Sequence, residues 1–320
     1  VDVATHALIP YAAALVALRR KGDARWAWAA VFGVAAAAPD LDGLLGGLAR
    51  RVDALWFLQH RGLSHSLFGA PLFAFALVGA LALAARAWPR RLGLFAWQPA
   101  FVPLLVLGSW THLVLDGVTL SGVPLLFPFS SRRFGFEVFP WQVDLLFPIP
   151  AAILLLHALG RLPPRRVAQA GALVAILLLA LGAGLLAERP ADAAHAYPHG
   201  LFREWIVVDR AANGTLVAEV DRDGARVDPT WFPESIPPEA APAINAAEST
   251  NAYRGFLLGS YGPMALDAEP APGGGWIVSF TDAAQRYESL HEPWWVPAED
   301  RGLETFLVRD GVATETRQGW

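Results

Sequence analysis

An α-helical membrane bundle of about six helices, followed by a small, mainly β soluble domain, is the fold class that this sequence predicts. Three observations predict it. The 320 residues are 54% hydrophobic with a positive mean hydropathy, too apolar for one ordinary soluble domain. Apolar runs of membrane-crossing character recur up to residue 187 and then stop. The charge changes at the same place: a net of +7 over residues 1–187 gives way to −11 over residues 188–320. The boundary is therefore set near Glu188-Arg189-Pro190, between a membrane domain of residues 1–188 and a soluble domain of residues 189–320. No cysteine is present, which excludes disulfides and thiolate metal ligands and leaves imidazole and carboxylate as ligand chemistry.

The first two apolar runs, Ala7–Leu18 and Trp26–Ala38, are short. At 1.5 Å per residue each gives roughly 20 Å of helix against roughly 30 Å of hydrocarbon, so flanking residues must complete the span or it falls short. No cleavable leader is expected, because His6 lies upstream of the first run and would be lost with it. Leu67–Trp88, Phe101–Leu115 with its flanks, Val143–Leu159 and Val167–Ala187 are long enough to cross. Basic residues mark alternate connections: Arg19, Arg20, Lys21 and Arg25, then Arg86, Arg90 and Arg91, then Arg161, Arg165 and Arg166. Those loops are expected on the cytoplasmic side, against the contrary charges of Arg50, Arg51, Arg132 and Arg133.

The opposite ends of the same helices carry His and Asp. Thr5-His6 precedes the first helix, Pro39-Asp40-Leu41-Asp42 ends the second, His60-Arg61-Gly62-Leu63-Ser64-His65 precedes the third, and Thr111-His112 with Asp116 closes the fourth. Ionisable groups at membrane depth are costly, and imidazole with carboxylate is the donor set of a divalent metal site. His112 and Asp116, four apart, stack on one helix face, though a helix-end His with a capping Asp gives the same spacing. His60 and His65 bracket a glycine turn, with Ser64 placed to cap the helix after it. Asp40 and Asp42 resist joint ionisation unless a cation lies between them; alternatively one caps the amphipathic segment Leu41–Leu58. Seven candidates exceed the three protein ligands of a catalytic zinc, so two ions are expected, Zn2+ first and Mn2+ second. Arg61, Arg132 and Arg133 suit a phosphate, although Arg132 and Arg133 equally suit lipid headgroups.

Residues 119–142, rich in Pro, Phe and Trp, fit the membrane interface or a partly re-entrant lid. Asp144 then begins the fifth helix, to cap it or to orient a ligand histidine. His157, His195, His199 and His291 lack such context and are read as structural or surface residues. The acidic region shows strand character at Trp205–Asp209, Thr215–Val220, Trp276–Phe280 and Thr305–Val308. Asn213-Gly214, Asp223-Gly224 and Asp310-Gly311 are turn signals, and Ile244–Tyr253 reads as a short helix. Trp294-Trp295 could contact membrane or substrate.

Four segments together, T-H-A-L-I-P, P-D-L-D, H-R-G-L-S-H-S and T-H-L-V-L-D-G-V-T followed by L-L-F-P-F-S-S-R-R-F, resemble the YdjM-like family of bacterial inner-membrane, metal-dependent hydrolases. They span residues 5–134. The resemblance implies a multi-spanning bundle with a metal centre built from His6, Asp40, His60, His65, His112 and Asp116, with Asp42 a further ligand or base. Val278-Ser279-Phe280-Thr281-Asp282 and Arg286-Tyr287 look like a strand feature of longer members.

The expected function is metal-dependent hydrolysis of a lipid or other amphiphilic phosphoester near the outer leaflet, with Asp42 as base and Arg61 stabilising charge. A metal carrier and a scaffold with structural metal are the rival readings; ligands gathered toward one side count against transport. Membrane lipid is the expected partner, without nucleic acid. The expected location is the bacterial inner membrane with the acidic domain periplasmic or extracellular.

Overall fold

A computed structural model describes residues 2–17, 23–45, 52–140, 143, 146–190, 195–199, 205–220, 224–291 and 302–316. Asp144, the basic residues Arg19, Arg20 and Lys21, Arg50, Arg51, Asp223 and Trp294-Trp295 lie outside the described residues, as does the middle of the 41–58 segment. The chain divides into two units, Val1–Ala49 with Phe57–Leu186, and Arg50–Trp56 with Ala187–Trp320.

The first unit is helical: α1 (Val3–Ala17), α2 (Asp23–Ala37), α3 (Gly69–Ala87), α4 (Phe101–Gly117), α5 (Pro148–Ala158) and α6 (Pro164–Ala187). Among the described residues three helices are long and apolar enough to cross a membrane: Trp26–Leu45, Gly69–Ala87 and Pro164–Ala187. The first of these shows how the short second run is completed. A 3-10 turn, Ala38–Leu41, and the residues up to Leu45 continue α2 past Pro39, whose ring is tolerated in the first turn of the new segment. Val3–Ala17, Phe101–Gly117 and Pro148–Ala158 are shorter, at 15, 17 and 11 residues. Among the described residues the expected six spans thus reduce to three of full length and three shorter apolar helices.

Lipid tails are as apolar as leucine, so such helices associate through close packing, for which small residues are suited. Gly108 of α4 lies so near α2 that a Cβ there would stand 2.8 Å from the Phe32 carbonyl oxygen and 2.9 Å from the Ala35 Cβ. Gly33 of α2 is similarly closed against Tyr11 of α1. Val31, Ala35, Val78, Phe101 and Leu105 form one core among α2, α3 and α4; Leu8, Leu15, Ala29 and Val167 form another among α1, α2 and α6. Away from the cores, Leu72, Leu83, Leu155, Ile176 and Leu179 are exposed, an apolar exterior that a water-facing bundle would bury. His157, read from sequence as a structural or surface residue, ties α5 to α1: Tyr11 Oη lies 2.7 Å from its Nε2, and its Nδ1 donates to the Leu162 carbonyl at 2.8 Å.

Among the described residues the second unit holds two four-stranded antiparallel sheets. β1 (His195–Pro198), β2 (Trp205–Ala211), β3 (Gly214–Val220) and β4 (Arg226–Pro233) follow one another in the first, and β5 (Met264–Pro270), β6 (Trp276–Asp282), β7 (Leu303–Arg309) and β8 (Val312–Glu315) in the second. The four strands read from sequence correspond to β2, β3, β6 and β7. β1, β4, β5 and β8 carry Pro or charged residues that weaken the strand pattern. Asp310 and Gly311, at φ 51° and 74°, make the two-residue turn between β7 and β8. The single helix expected at 244–253 is two, α7 (Ala241–Glu248) and α8 (Asn251–Gly259). Thr250 separates them, its Oγ1 accepting from the Tyr253 N–H at 3.1 Å as an N-cap. Asp282 ends β6 fully buried and accepts from the backbone N–H groups of Tyr261, Gly262 and Gln285 at 2.7, 2.8 and 3.0 Å, the last at the start of α9 (Ala283–His291). The V-S-F-T-D segment is thus a strand ending in a structural carboxylate.

Candidate metal centre

Local structure aims each side chain. Asp2 caps α1, accepting from the Thr5 N–H at 2.9 Å and the Thr5 hydroxyl at 2.6 Å, which sets His6 in the buried first turns. Pro10 cannot donate to the His6 carbonyl four residues earlier, so the ladder is interrupted there. In H-R-G-L-S-H, Arg61 adopts a left-handed φ of 63°, and a Cβ at Gly62 would collide with the Phe57 carbonyl. The chain can then close a 3-10 turn, Leu63–His65, that buries Ser64 and His65. Ser66 rather than Ser64 serves the start of α3: its Oγ accepts from the Gly69 N–H at 2.9 Å.

Asp40, His65, His112 and Asp116 converge, each offering one donor atom to a common centre. His65 Nε2 lies 3.1 Å from His112 Nε2, 3.3 Å from Asp116 Oδ2 and 3.5 Å from Asp40 Oδ1. His112 Nε2 lies 3.6 Å from both Asp40 Oδ1 and Asp116 Oδ2. Four ligands at the usual zinc distances of about 2.0–2.1 Å, arranged tetrahedrally, stand about 3.3–3.4 Å apart, so these five separations fit a small divalent ion. Asp40 Oδ2 and His6 Nδ1 are buried without a hydrogen-bond partner among the described residues.

The remaining nitrogens set the tautomers. His112 Nδ1 donates to the Ala36 carbonyl at 2.8 Å, leaving its Nε2 lone pair toward the centre. His65 Nδ1 lies 2.8 Å from Ser64 Oγ and 3.3 Å from Asp42 Oδ2, and the Ser64 hydroxyl donates to that same oxygen. Burial opposes a charge on His65, but Asp116, Asp40 and Asp42 outweigh it and push its pKa up to about 10.

The other sequence candidates surround this set. His6 stacks on His112 with ring centroids 3.9 Å apart and donates from Nε2 to Asp116 Oδ1 at 3.1 Å, away from the oxygen that faces the centre. Asp42, fully buried, engages Ser64 and His65 with Oδ2 and His60 Nδ1 with Oδ1 at 2.8 Å. Asp42, His60 and His65 form a second, smaller group of potential ligands, in which the His60 side chain is 52% exposed. Arg61 Nη2 lies 3.7 Å from Asp116 Oδ2, and its Nη1 donates to Thr119 Oγ1 and the Gly122 carbonyl, both at 3.2 Å. Arg133 donates to the Ser121 carbonyl, and Arg132 lies over the Phe134 ring at 5.7 Å. Ser64 as a link between His65 and Asp42, the Ala36 carbonyl and the Asp2 cap were missed from sequence; only Asp2, three residues before Thr5, carries a recognisable signal.

A family model described as YdjM inner membrane protein matches residues 1–191. No curated protein and no solved structure matches the chain. The matched stretch holds every His and Asp of the cluster, and the chain belongs to the YdjM inner membrane protein family.

Proposed function

We propose that this protein is a membrane-bound, metal-dependent hydrolase acting on a lipid or other amphiphilic phosphoester. The observation that carries the reading is the convergence of two imidazoles and two carboxylates at 3.1–3.6 Å with the Arg61 guanidinium beside one of them. Asp40, His65, His112 and Asp116 would hold one ion rather than the two expected from the number of candidates, because Asp42 is engaged with His60, Ser64 and His65 Nδ1; Zn2+ comes first and Mn2+ second, since both accept imidazole and carboxylate. Such an ion supplies Lewis acidity toward a phosphoryl oxygen and makes water more acidic.

The chain's own residues do the rest. Arg61 offers a fixed positive charge for a phosphate, anchored by Thr119 and Gly122. Asp42 and Ser64 hold His65 in the tautomer that presents Nε2, and His6 orients Asp116 through Oδ1. This makes Asp42 a positioning group rather than the base. His60, held by Asp42 through Nδ1 and with its side chain 52% exposed, stands between the buried donors and the surface. Arg86, Arg90, Arg91, Arg161, Arg165 and Arg166 follow the helix ends remote in chain order from these motifs, which supports a cytoplasmic side there and a periplasmic centre and C-terminal unit.

The test is hydrolysis of a panel of phospholipids by detergent-purified protein supplied with Zn2+ or Mn2+. Arg61→Ala should keep the metal and lose most hydrolysis, while Asp116→Asn should lose both. Hydrolysis of no substrate in the panel, or full hydrolysis by Asp116→Asn, would overturn the reading. A closed, structural metal is the second reading, favoured because four protein donors fill a tetrahedron. It requires that the visible spectrum of the Co2+-loaded protein ignore added phosphate.

A further inference from the structure

The geometry points to the loop from Pro124 to Phe136 as a membrane-inserted element, its exposed aromatic side chains seated in the headgroup layer of the phospholipid leaflet. The loop folds on itself through the Val123–Phe134 pair and is stitched to the start of α3 by the Leu67 N–H, which donates to the Leu125 carbonyl at 3.0 Å. Phe127 is buried and holds the loop in place, yet other apolar side chains of it are turned outward: Phe129 is 83% exposed, Phe136 72% and Leu126 44%.

Its depth follows from its neighbours. Gly69 opens one of the full-length candidate spans, so Phe68, just before it and itself exposed, stands where that span leaves the hydrocarbon. Phe129 packs edge-on against Phe68 with centroids 6.2 Å apart, at the same level. Trp110 of α4 reaches it too: its indole Nε1 donates to the Leu67 carbonyl at 3.1 Å while its ring stays exposed, in one stripe with Leu107 and Val114. Aromatic rings with one polar atom satisfied and an apolar face open are the residues that collect at membrane interfaces. Arg132, exposed and lying over Phe134, adds a cation that suits a lipid phosphate. The loop's insertion is independent of what the metal centre does. Where the hydrolase reading also holds, a lipid would reach Arg61 from the leaflet, because the segment leading into this loop supplies Thr119 and Gly122 to that guanidinium.

The absence of cysteine makes the test direct. Phe129→Cys, Phe136→Cys and, as a water-exposed reference, Arg90→Cys are labelled with an environment-sensitive fluorophore and reconstituted into phosphatidylglycerol–phosphatidylcholine vesicles. Monodisperse elution in detergent serves as the folding check. Labels at 129 and 136 should emit to the blue of the reference, be quenched by nitroxides attached high on the lipid chains, and resist aqueous iodide several-fold better. Iodide quenching equal to that at position 90, with no quenching by lipid nitroxides at either loop position, would overturn the inference whatever the protein's metal content or hydrolytic activity.

Discussion

His65 and His112 turn their Nε2 atoms toward each other across 3.1 Å. The Nδ1 of His112 donates to the Ala36 carbonyl, and the Nδ1 of His65 sits against Ser64 and Asp42. With both Nδ1 atoms protonated, two neutral rings would face each other lone pair to lone pair, so a cation must lie between them. In the metal-free protein a proton on His65 supplies it; the two neighbouring carboxylates make the same position suitable for a divalent ion.

That relationship predicts a pH dependence. With its pKa pushed up to about 10, His65 is protonated near neutrality in the metal-free protein and must lose that proton to become a ligand. Between roughly pH 6 and 8 the apparent zinc affinity should rise about tenfold per unit and fall correspondingly on acidification. Competition against a chelator at three pH values measures the slope, and a flat profile would remove His65 from the ligand set.

Asp42 and Asp116 should behave differently although both are buried carboxylates beside His65. Asp42→Asn keeps the shape but weakens the hold on His65 Nδ1, and should lower metal affinity about 10- to 100-fold without abolishing it. Asp116→Asn, which removes a charged donor, should abolish retention through a desalting column. Equal losses in the two variants would contradict the assignment of Asp42 to a position behind His65.

Tyr11→Phe should separate stability from the metal centre. It leaves the Nε2 of His157 without its 2.7 Å partner between α1 and α5, at a cost of about 1–3 kcal/mol. Thermal unfolding in detergent should shift down while zinc stoichiometry stays at the wild-type value.

Gly108→Leu should do more. Even a Cβ at this position meets the Phe32 carbonyl and Ala35, so a larger side chain must part α2 from α4 and cost about 1–3 kcal/mol or more. Because Ala36 of α2 fixes the His112 tautomer from the next residue, zinc affinity should fall with the melting temperature.

Much of the helical unit was legible because membrane helices announce themselves by apolar length, and the His and Asp motifs recur at alternate helix ends. Their division of labour was not legible. His6, His60 and His65 carry the same chemistry in sequence, but which nitrogen faces the centre depends on partners such as the Ala36 carbonyl, which belongs to a different helix from His112. The continuation of α2 through Pro39 was also hidden, since Pro-Asp-Leu-Asp reads as a stop. In the acidic unit, the strong β-branched strands were visible, while β4, with Asp228, Pro229 and Pro233, was not. Its pairing with β3 comes from the sheet rather than from local propensity.

The central claim is that Asp40, His65, His112 and Asp116 bind one divalent ion. The measurement that tests it most directly is elemental analysis of detergent-purified protein, wild type against His65→Ala and Asp116→Ala, after Zn2+ or Mn2+ has been supplied and excess removed. About one ion per chain in the wild type and essentially none in either variant is the predicted result. No retained metal in the wild type, or equal metal in all three proteins, would contradict it.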